Sequence, residues 1–136
     1  MVARDSSGVV LFSAAGREFH MRDVKIAEAM AIRWAMRIAI DLGFKEVMFE
    51  TDNLSVVKVW SSFSSQLSYL ASILSDCVVL SSSFNSCSLS HVRRSGNMAA
   101  DFMAKFALSD QCFVWISDAP PGIEGILSND VLSASI

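Results

Sequence analysis

The sequence predicts a mixed α/β domain, and three observations support this fold class. Short β-branched and aromatic stretches alternate with longer stretches of helical periodicity, in the order β-β-α-β-α-α-β-α. Hydrophobic residues make up 52% of the 136 residues and charged residues only 18%, which indicates a globular chain. A chain of this length also buries a core without needing disulfides or a metal.

Turn and capping residues set the bounds of the predicted elements. RDSSG (4–8) is a turn sequence between two strands, Asp23 is a suitable helix N-cap and Gly43 a helix stop, and Asp52 or Asn53 caps the second helix. The predicted elements are strands over 1–3 and 8–16, a helix over 24–42, a strand over 45–52, helices over 53–63 and about 68–81, a strand over 87–93 and a helix over about 98–108. A serine-rich linker, 61–68, joins the second and third helices.

Charge and cysteine content exclude several classes of function. A net charge of −3 provides no overall basic field, so any binding of nucleic acid would depend on a local patch. No segment has the roughly 18–20 apolar residues of a membrane span, and we expect no membrane partner. Three cysteines without metal-ligand spacing indicate free thiols in an intracellular, reducing compartment, either cytoplasm or nucleus.

Glu28 occupies an unexpected place on the long helix. Arg33, Arg37 and Asp41 form the polar stripe, and Glu28 lies nearly opposite Arg37. The apolar residues predicted on the same side as Glu28, facing the sheet, are Ala31, Ile32, Ala35, Ala39 and Leu42. A carboxylate there costs free energy unless it meets a cation or a hydrogen-bond donor. The alternative is that Glu28 only complements the helix dipole.

Two further carboxylates stand where ligands commonly bind. Asp52 ends a strand of the parallel type, and Asp101 lies in the first turn of the last helix. Each also has an ordinary structural explanation, as an N-cap and as a partner of the helix dipole respectively. If Glu28, Asp52 and Asp101 converge, they need divalent cations between them, and hard oxygen ligands suit Mg²⁺ or Mn²⁺. Such a cluster is typical of metal-dependent displacement at phosphate.

The segments that carry these residues resemble a known family. AEAMAIRWAMRIAIDLGFKEVMFETDN (27–53), SHVRRSGNMAADFMAKFA (90–107) and VWISDAPPGIEGILSND (114–130) are similar, in order and spacing, to the ribonuclease H-like domain of plant retroelement-type proteins, also called the reverse-transcriptase-like domain. The resemblance covers nearly the whole chain. It implies a ribonuclease H-like mixed sheet flanked by helices over residues 1–109, with 110–136 as a tail packing on it or extending from it.

The resemblance also assigns roles to residues of this sequence. It implies that Glu28, Asp52 and Asp101 hold Mg²⁺ or Mn²⁺ and that His91, ten residues before Asp101, assists catalysis. Near-neutral titration suits a histidine to proton transfer at a leaving oxygen. The implied nucleic-acid-binding residues are Arg93, Arg94 and Asn97. Arginines at such positions contact phosphates and add affinity without reading sequence.

The sequence departs from the family pattern at its start. The family's first strand is central in the sheet and carries an Asp-Gly dipeptide, and neither has a counterpart here. Asp5 is no substitute, because the resemblance places it in the turn between the first two strands. Arg93 stands where the family has proline, and Ser95 where an acidic residue is common. Without the central strand, residues 1–16 are expected to pair with the strand at 45–51 across a gap, or to lie loosely.

Three functions follow from these observations. The first is a metal-dependent endoribonuclease that cleaves the RNA strand of RNA–DNA hybrids. The second is a catalytically inactive, truncated ribonuclease H-like module that at most binds nucleic acid or a protein partner. The third is a generic α/β domain in which the acids are helix caps and surface charges.

Overall fold

A computed structural model describes residues 1–15, 23–62, 68–106 and 112–134 of the chain. Its elements are β1 (Val2–Arg4), β2 (Val10–Ala15), α1 (Val24–Asp41), β3 (Glu46–Thr51), α2 (Leu54–Ser62), α3 (Tyr69–Ser81), β4 (Ser86–His91), a 3-10 turn (Arg94–Gly96), α4 (Met98–Phe106), β5 (Phe113–Ile116) and α5 (Glu124–Ala134). The predicted α/β class and the order of its first eight elements are confirmed. The middle of the predicted serine-rich linker, 63–67, lies outside the described residues. Over the described ranges, no helix is both long enough and apolar enough for a membrane crossing.

The chain forms two compact units, a central unit (His20–Val92) and a discontinuous unit (Met1–Phe19 with Arg93–Ile136). In the central unit β3 and β4 pair in parallel, from Glu46 opposite Ser86 to Thr51 opposite His91. A parallel pair needs a crossover, and α2 and α3 provide it. Alternation along β3 turns Val47, Phe49 and Thr51 inward and leaves the residues between them exposed.

Helix α1 begins and ends as predicted. The Asp23 carboxylate accepts a hydrogen bond from the Lys25 N–H at 2.9 Å, and Gly43 after the helix has a φ of +80°, which L residues rarely adopt. The predicted apolar face is only partly right, because Ala31 and Leu42 are exposed. α1 packs on α3 as well as on the sheet, which rotates the buried face toward Ile26, Ala29, Ile32, Met36 and Ala39. Glu28 therefore lies at the margin of the buried face.

The discontinuous unit contains a three-stranded antiparallel sheet in the order β1-β2-β5. β2 pairs with β1 on one edge and with β5 on the other, where Ser13 lies opposite Trp115. The expectation that residues 1–16 pair with 45–51 or lie loosely is therefore wrong for β2, since both of its edges are hydrogen-bonded. The sequence reading missed β5, whose four residues are too few to show a clear alternation.

Small and apolar side chains form the core of the discontinuous unit. Ala15, Ala99, Met103 and Ile123 are buried together, and Phe102 packs against them. The Asp5 carboxylate accepts hydrogen bonds from the Ser7 and Val9 backbone N–H groups, both at 2.9 Å. Asp5 is therefore a turn residue, as predicted.

The cysteines are free thiols, as predicted. Cys77 is fully buried, and burial raises the pKa of its thiol to about 11. Cys112 is exposed.

Candidate functional site

Glu28 meets a hydrogen-bond donor at the end of β3. Its side chain is half-buried at the start of the second turn of α1, and Oε2 accepts a hydrogen bond from the Thr51 hydroxyl at 2.9 Å. The structure thus supplies the donor that a carboxylate in this position requires. Glu28 does more here than complement a helix dipole.

Asp52 follows Thr51 directly and is not the cap of α2. The Asn53 side chain accepts from the backbone N–H groups of Ser55 (3.1 Å) and Val56 (3.4 Å), so Asn53 is the N-cap. Of the two predicted caps, Asn53 is the correct one. The ordinary structural explanation for Asp52 is thereby removed, and its half-buried carboxylate is left for another role.

Groups within the central unit act on the pKa of the Glu28 carboxyl group in opposing directions. Burial raises its pKa most, the hydrogen bond from Thr51 lowers it, and the negative charge of Asp52 raises it again. The result is a pKa above the ordinary value of 4.5. Two carboxylates close enough to repel each other in a half-buried place form an environment that favours a cation.

His91 reaches the same edge of the central unit's sheet. It is the last residue of β4, lies in register with Thr51 and is exposed. Beyond it, the Val92 N–H donates to the Thr51 carbonyl oxygen at 3.0 Å. Because β3 and β4 are parallel, both strands deliver their next residues to one edge. The central unit therefore brings Glu28, Asp52 and the backbone of His91 to one region.

Asp101 lies in the discontinuous unit and has cationic partners. In the first turn of α4, its Oδ2 contacts the Lys105 Nζ at 2.9 Å and its Oδ1 lies 4.0 Å from the Arg94 Nη2. The hydrogen bond from Lys105 is the main reason that the pKa of Asp101 is below its ordinary value of 3.8. Here the negative charge is largely compensated within the unit.

The remaining predicted residues surround the start of α4. Arg93 and Arg94 are exposed, with the Arg94 side chain 80% accessible. Asn97 immediately precedes α4, and its carbonyl oxygen accepts from the Asp101 N–H at 3.2 Å. Two exposed arginines next to a helix N-terminus are a local cationic surface on an acidic protein.

The predicted metal ligands do not form a complete cluster within either unit. Over the described ranges, no three histidine, cysteine, aspartate or glutamate side chains are grouped so that they could hold a metal ion. The structure instead provides a pair, Glu28 and Asp52, in the central unit. Mg²⁺ is commonly bound through one or two carboxylates, with waters and substrate phosphates completing its coordination. The donor pair suits that mode of binding.

Two residues of this site were missed from the sequence, and each had a signal. Thr51 is a polar residue at an inward position of β3, after Val47 and Phe49, and such a position calls for a partner. Lys105 stands four residues after Asp101, the spacing at which opposite charges meet on a helix.

Comparison with known proteins identifies a family and a similar fold. Residues 1–107 match the protein family described as reverse transcriptase-like. The structure is similar to the crystal structure of RNase H1 from the halophilic archaeon Halobacterium salinarum NRC-1, with a TM-score of 0.57 and 29% sequence identity. The likeness covers 63% of this chain and 66% of that one, slightly under two thirds of the archaeal enzyme. No curated protein matches the sequence. The predicted ribonuclease H-like fold is confirmed.

Proposed function

This chain belongs to the reverse transcriptase-like family, and on that premise we propose that it is a divalent-metal-dependent ribonuclease acting on the RNA strand of RNA–DNA hybrids. The observation that carries the proposal is that Thr51 holds the Glu28 carboxylate at the edge where β3 and β4 end, near enough to Asp52 for the charge of Asp52 to raise the pKa of Glu28. Ligands of open α/β sheets bind at such edges. The fold it shares with an archaeal RNase H1 supports the class of substrate.

Mg²⁺ or Mn²⁺ is the proposed cofactor, with Glu28 and Asp52 as its ligands in the central unit. On the resemblance to the family, Asp101 is also proposed as a metal ligand. When bound, such an ion stabilises charge at the scissile phosphate and makes water a better nucleophile. To ligate it, Asp101 must release the Lys105 ammonium, which lies 2.9 Å away. Glu28 differs from Asp101, because burial and the nearby charge of Asp52 disfavour its charged form when no cation is bound.

The other residues have roles in binding and proton transfer. His91 is exposed beside the end of β3 and is proposed to protonate the leaving oxygen as its bond to phosphorus breaks, while the attacking water loses its proton to solvent. Arg93, Arg94 and Asn97 are proposed to hold the nucleic-acid backbone, because arginine forms strong charge-assisted bonds with phosphate. These contacts supply affinity and leave the choice of sequence open.

A cleavage assay tests the proposal. We expect the folded chain to cleave end-labelled RNA in an RNA–DNA hybrid when Mg²⁺ is present, and to stop when the ion is chelated. Asp52→Asn should lower the rate at least ~100-fold, since loss of a metal ligand removes several kcal/mol of stabilisation. Glu50→Gln is the matched control, because Glu50 is an exposed carboxylate on β3, the strand that Asp52 follows. Undiminished cleavage by Asp52→Asn would refute the assignment.

A second candidate function is binding of nucleic acid without cleavage. The observation that favours it is the pairing of Asp101 with Lys105 and Arg94, which occupies one of the proposed ligands. In this case, fluorescence anisotropy should detect binding of the hybrid in the presence of EDTA. The same chain should show no cleavage when Mg²⁺ is added. Arg94→Ala should then weaken binding and reduce the dependence of log K on log salt by about one unit.

A further inference from the structure

Thr51 is a buried hydroxyl at the centre of the candidate site. It is the only threonine in the sequence, and it is 1% exposed at the inward-facing end of β3. The neighbouring inward positions of this strand hold Val47 and Phe49, which pack on the hydrophobic core of the central unit. An apolar residue would continue that pattern. A buried hydroxyl in its place lowers the stability of the folded chain unless the hydroxyl is hydrogen-bonded.

The hydrogen bonds of Thr51 connect three elements. Its hydroxyl donates to Glu28 Oε2 at 2.9 Å and accepts from the Asn53 N–H at 3.1 Å. Its carbonyl oxygen accepts from the Val92 N–H at 3.0 Å. The residue thus joins the carboxylate on α1 to the N-cap of α2 and to the end of β4.

These contacts also fix the direction of the hydroxyl proton. A hydroxyl has one proton and two lone pairs, and the Asn53 N–H approaches from the side of a lone pair. The proton is left for the Glu28 carboxylate. Because threonine is β-branched and this side chain is buried, few χ1 rotamers are available to it, so the donor stays aimed at one place.

We propose that Thr51 is a positioning residue for metal binding, whose hydroxyl holds the Glu28 carboxylate beside Asp52. The inference rests on the proposed function, since it assumes that Glu28 and Asp52 bind a divalent cation. Thr51 itself contributes no ligand: it acts through Oε2 of Glu28 and leaves Oε1 free of this contact. Groups that hydrogen-bond to ligating carboxylates in this way commonly change metal affinity by 10–100-fold when removed.

Thr51→Val and Thr51→Ser separate the hydroxyl from the packing. Valine keeps the shape and loses the hydroxyl, whereas serine keeps the hydroxyl and loses a methyl group. Binding of Mn²⁺ alone, followed by electron paramagnetic resonance, is measured for both variants and the native chain. Thr51→Val should weaken Mn²⁺ affinity about 10-fold or more. Thr51→Ser should bind close to the native affinity, even if its lost methyl group lowers stability.

A single-residue label shows where the ion binds. Because the sequence has one threonine, protein labelled at threonine methyl groups gives one signal, and Mn²⁺ should broaden it in the native chain and not in Glu28→Gln. The role of Thr51 would be refuted if Thr51→Val left the Mn²⁺ affinity unchanged, or if Thr51→Ser weakened it as much as Thr51→Val does. Either result would leave the proposed metal site standing. A folded native chain that binds no Mn²⁺ would overturn the proposed function and this inference with it.

Discussion

Glu28 and Asp101 both lie near the start of a helix, yet their surroundings act on them in opposite ways. Burial and Asp52 raise the pKa of Glu28, so its charged form is disfavoured. Lys105 and Arg94 lower the pKa of Asp101, so its charged form is favoured. The position of a carboxylate along a helix therefore does not decide the direction of its pKa shift. The groups that surround the carboxylate decide it.

The surroundings of Glu28 favour binding of a cation, whereas Asp101 already has a cationic side chain as its partner. In the central unit, the repulsion between Glu28 and Asp52 is relieved when a divalent ion binds. In the discontinuous unit, Lys105 already supplies the positive charge at 2.9 Å. Unrelieved repulsion lowers stability, and proteins commonly carry such strain where function requires it. Three substitutions test this contrast.

The largest expected effect is on cleavage of an RNA–DNA hybrid. Glu28→Gln should lower the rate at least ~100-fold, because it removes a ligand with no compensating charge. Asp101→Asn should lower it less, because Lys105 and Arg94 already offset that charge. Initial rates at saturating Mg²⁺ measure both, with Glu46→Gln, an exposed position on β3, as control. A larger loss in Asp101→Asn than in Glu28→Gln would reverse the contrast.

The next effect is on stability, with opposite signs for the two acids. For Glu28 the folded chain holds its proton at higher pH than the unfolded chain, so stability falls as the pH rises from 4.5 through the raised pKa. Glu28→Gln should therefore raise the Tm modestly at neutral pH, and the gain should vanish in acid.

Asp101 should show the reverse behaviour. Its lowered pKa contributes stability that is present above 3.8 and is lost as the pH falls through the folded-state value. Asp101→Asn should therefore lower the Tm slightly at neutral pH and have no effect in strong acid. Thermal unfolding followed by circular dichroism across this range checks both signs. Two variants that shift the Tm in the same direction would contradict the account.

The smallest effect is expected from Lys105→Ala. Its pair with Asp101 is an i,i+4 contact on a helix surface with the lysine 72% accessible, so its loss should cost about 0.3–0.5 kcal/mol. Urea unfolding measures that cost, which should disappear near 1 M salt, where the Debye length is about 3 Å. A loss that persists in high salt would mean that Lys105 acts through packing.

Much of the fold was predictable because local signals agreed with it. Asp23 and Gly43 bound α1 as expected, and the parallel pairing of β3 with β4 follows from two strands separated by helices. β5 was not predictable, because four residues form a strand only through their pairing with β2. The rotation of the buried face of α1 depends on α3, which a helical wheel of α1 alone does not contain.

The candidate site residues could be predicted from the sequence, but many of the contacts between them could not. Glu28 and Asp52 were identified from their positions, but the hydroxyl that joins Glu28 to β3 appears only when Thr51 is seen to point inward. The ion pair of Asp101 with Lys105 is predictable from their i,i+4 spacing, whereas the approach of Arg94 to Asp101 required the structure. That Asn53 rather than Asp52 caps α2 required the hydrogen bonds themselves.

Carboxyl-carbon NMR titration of the native chain, with and without Mg²⁺, tests the central claim most directly. Glutamate and aspartate carboxyl signals are followed over pH, with Glu28→Gln and Asp101→Asn used to assign the two signals. We expect Glu28 to titrate above 4.5 with a midpoint that Mg²⁺ lowers, and Asp101 to titrate below 3.8. A Glu28 signal that titrates with the exposed glutamates and ignores Mg²⁺ would contradict this claim.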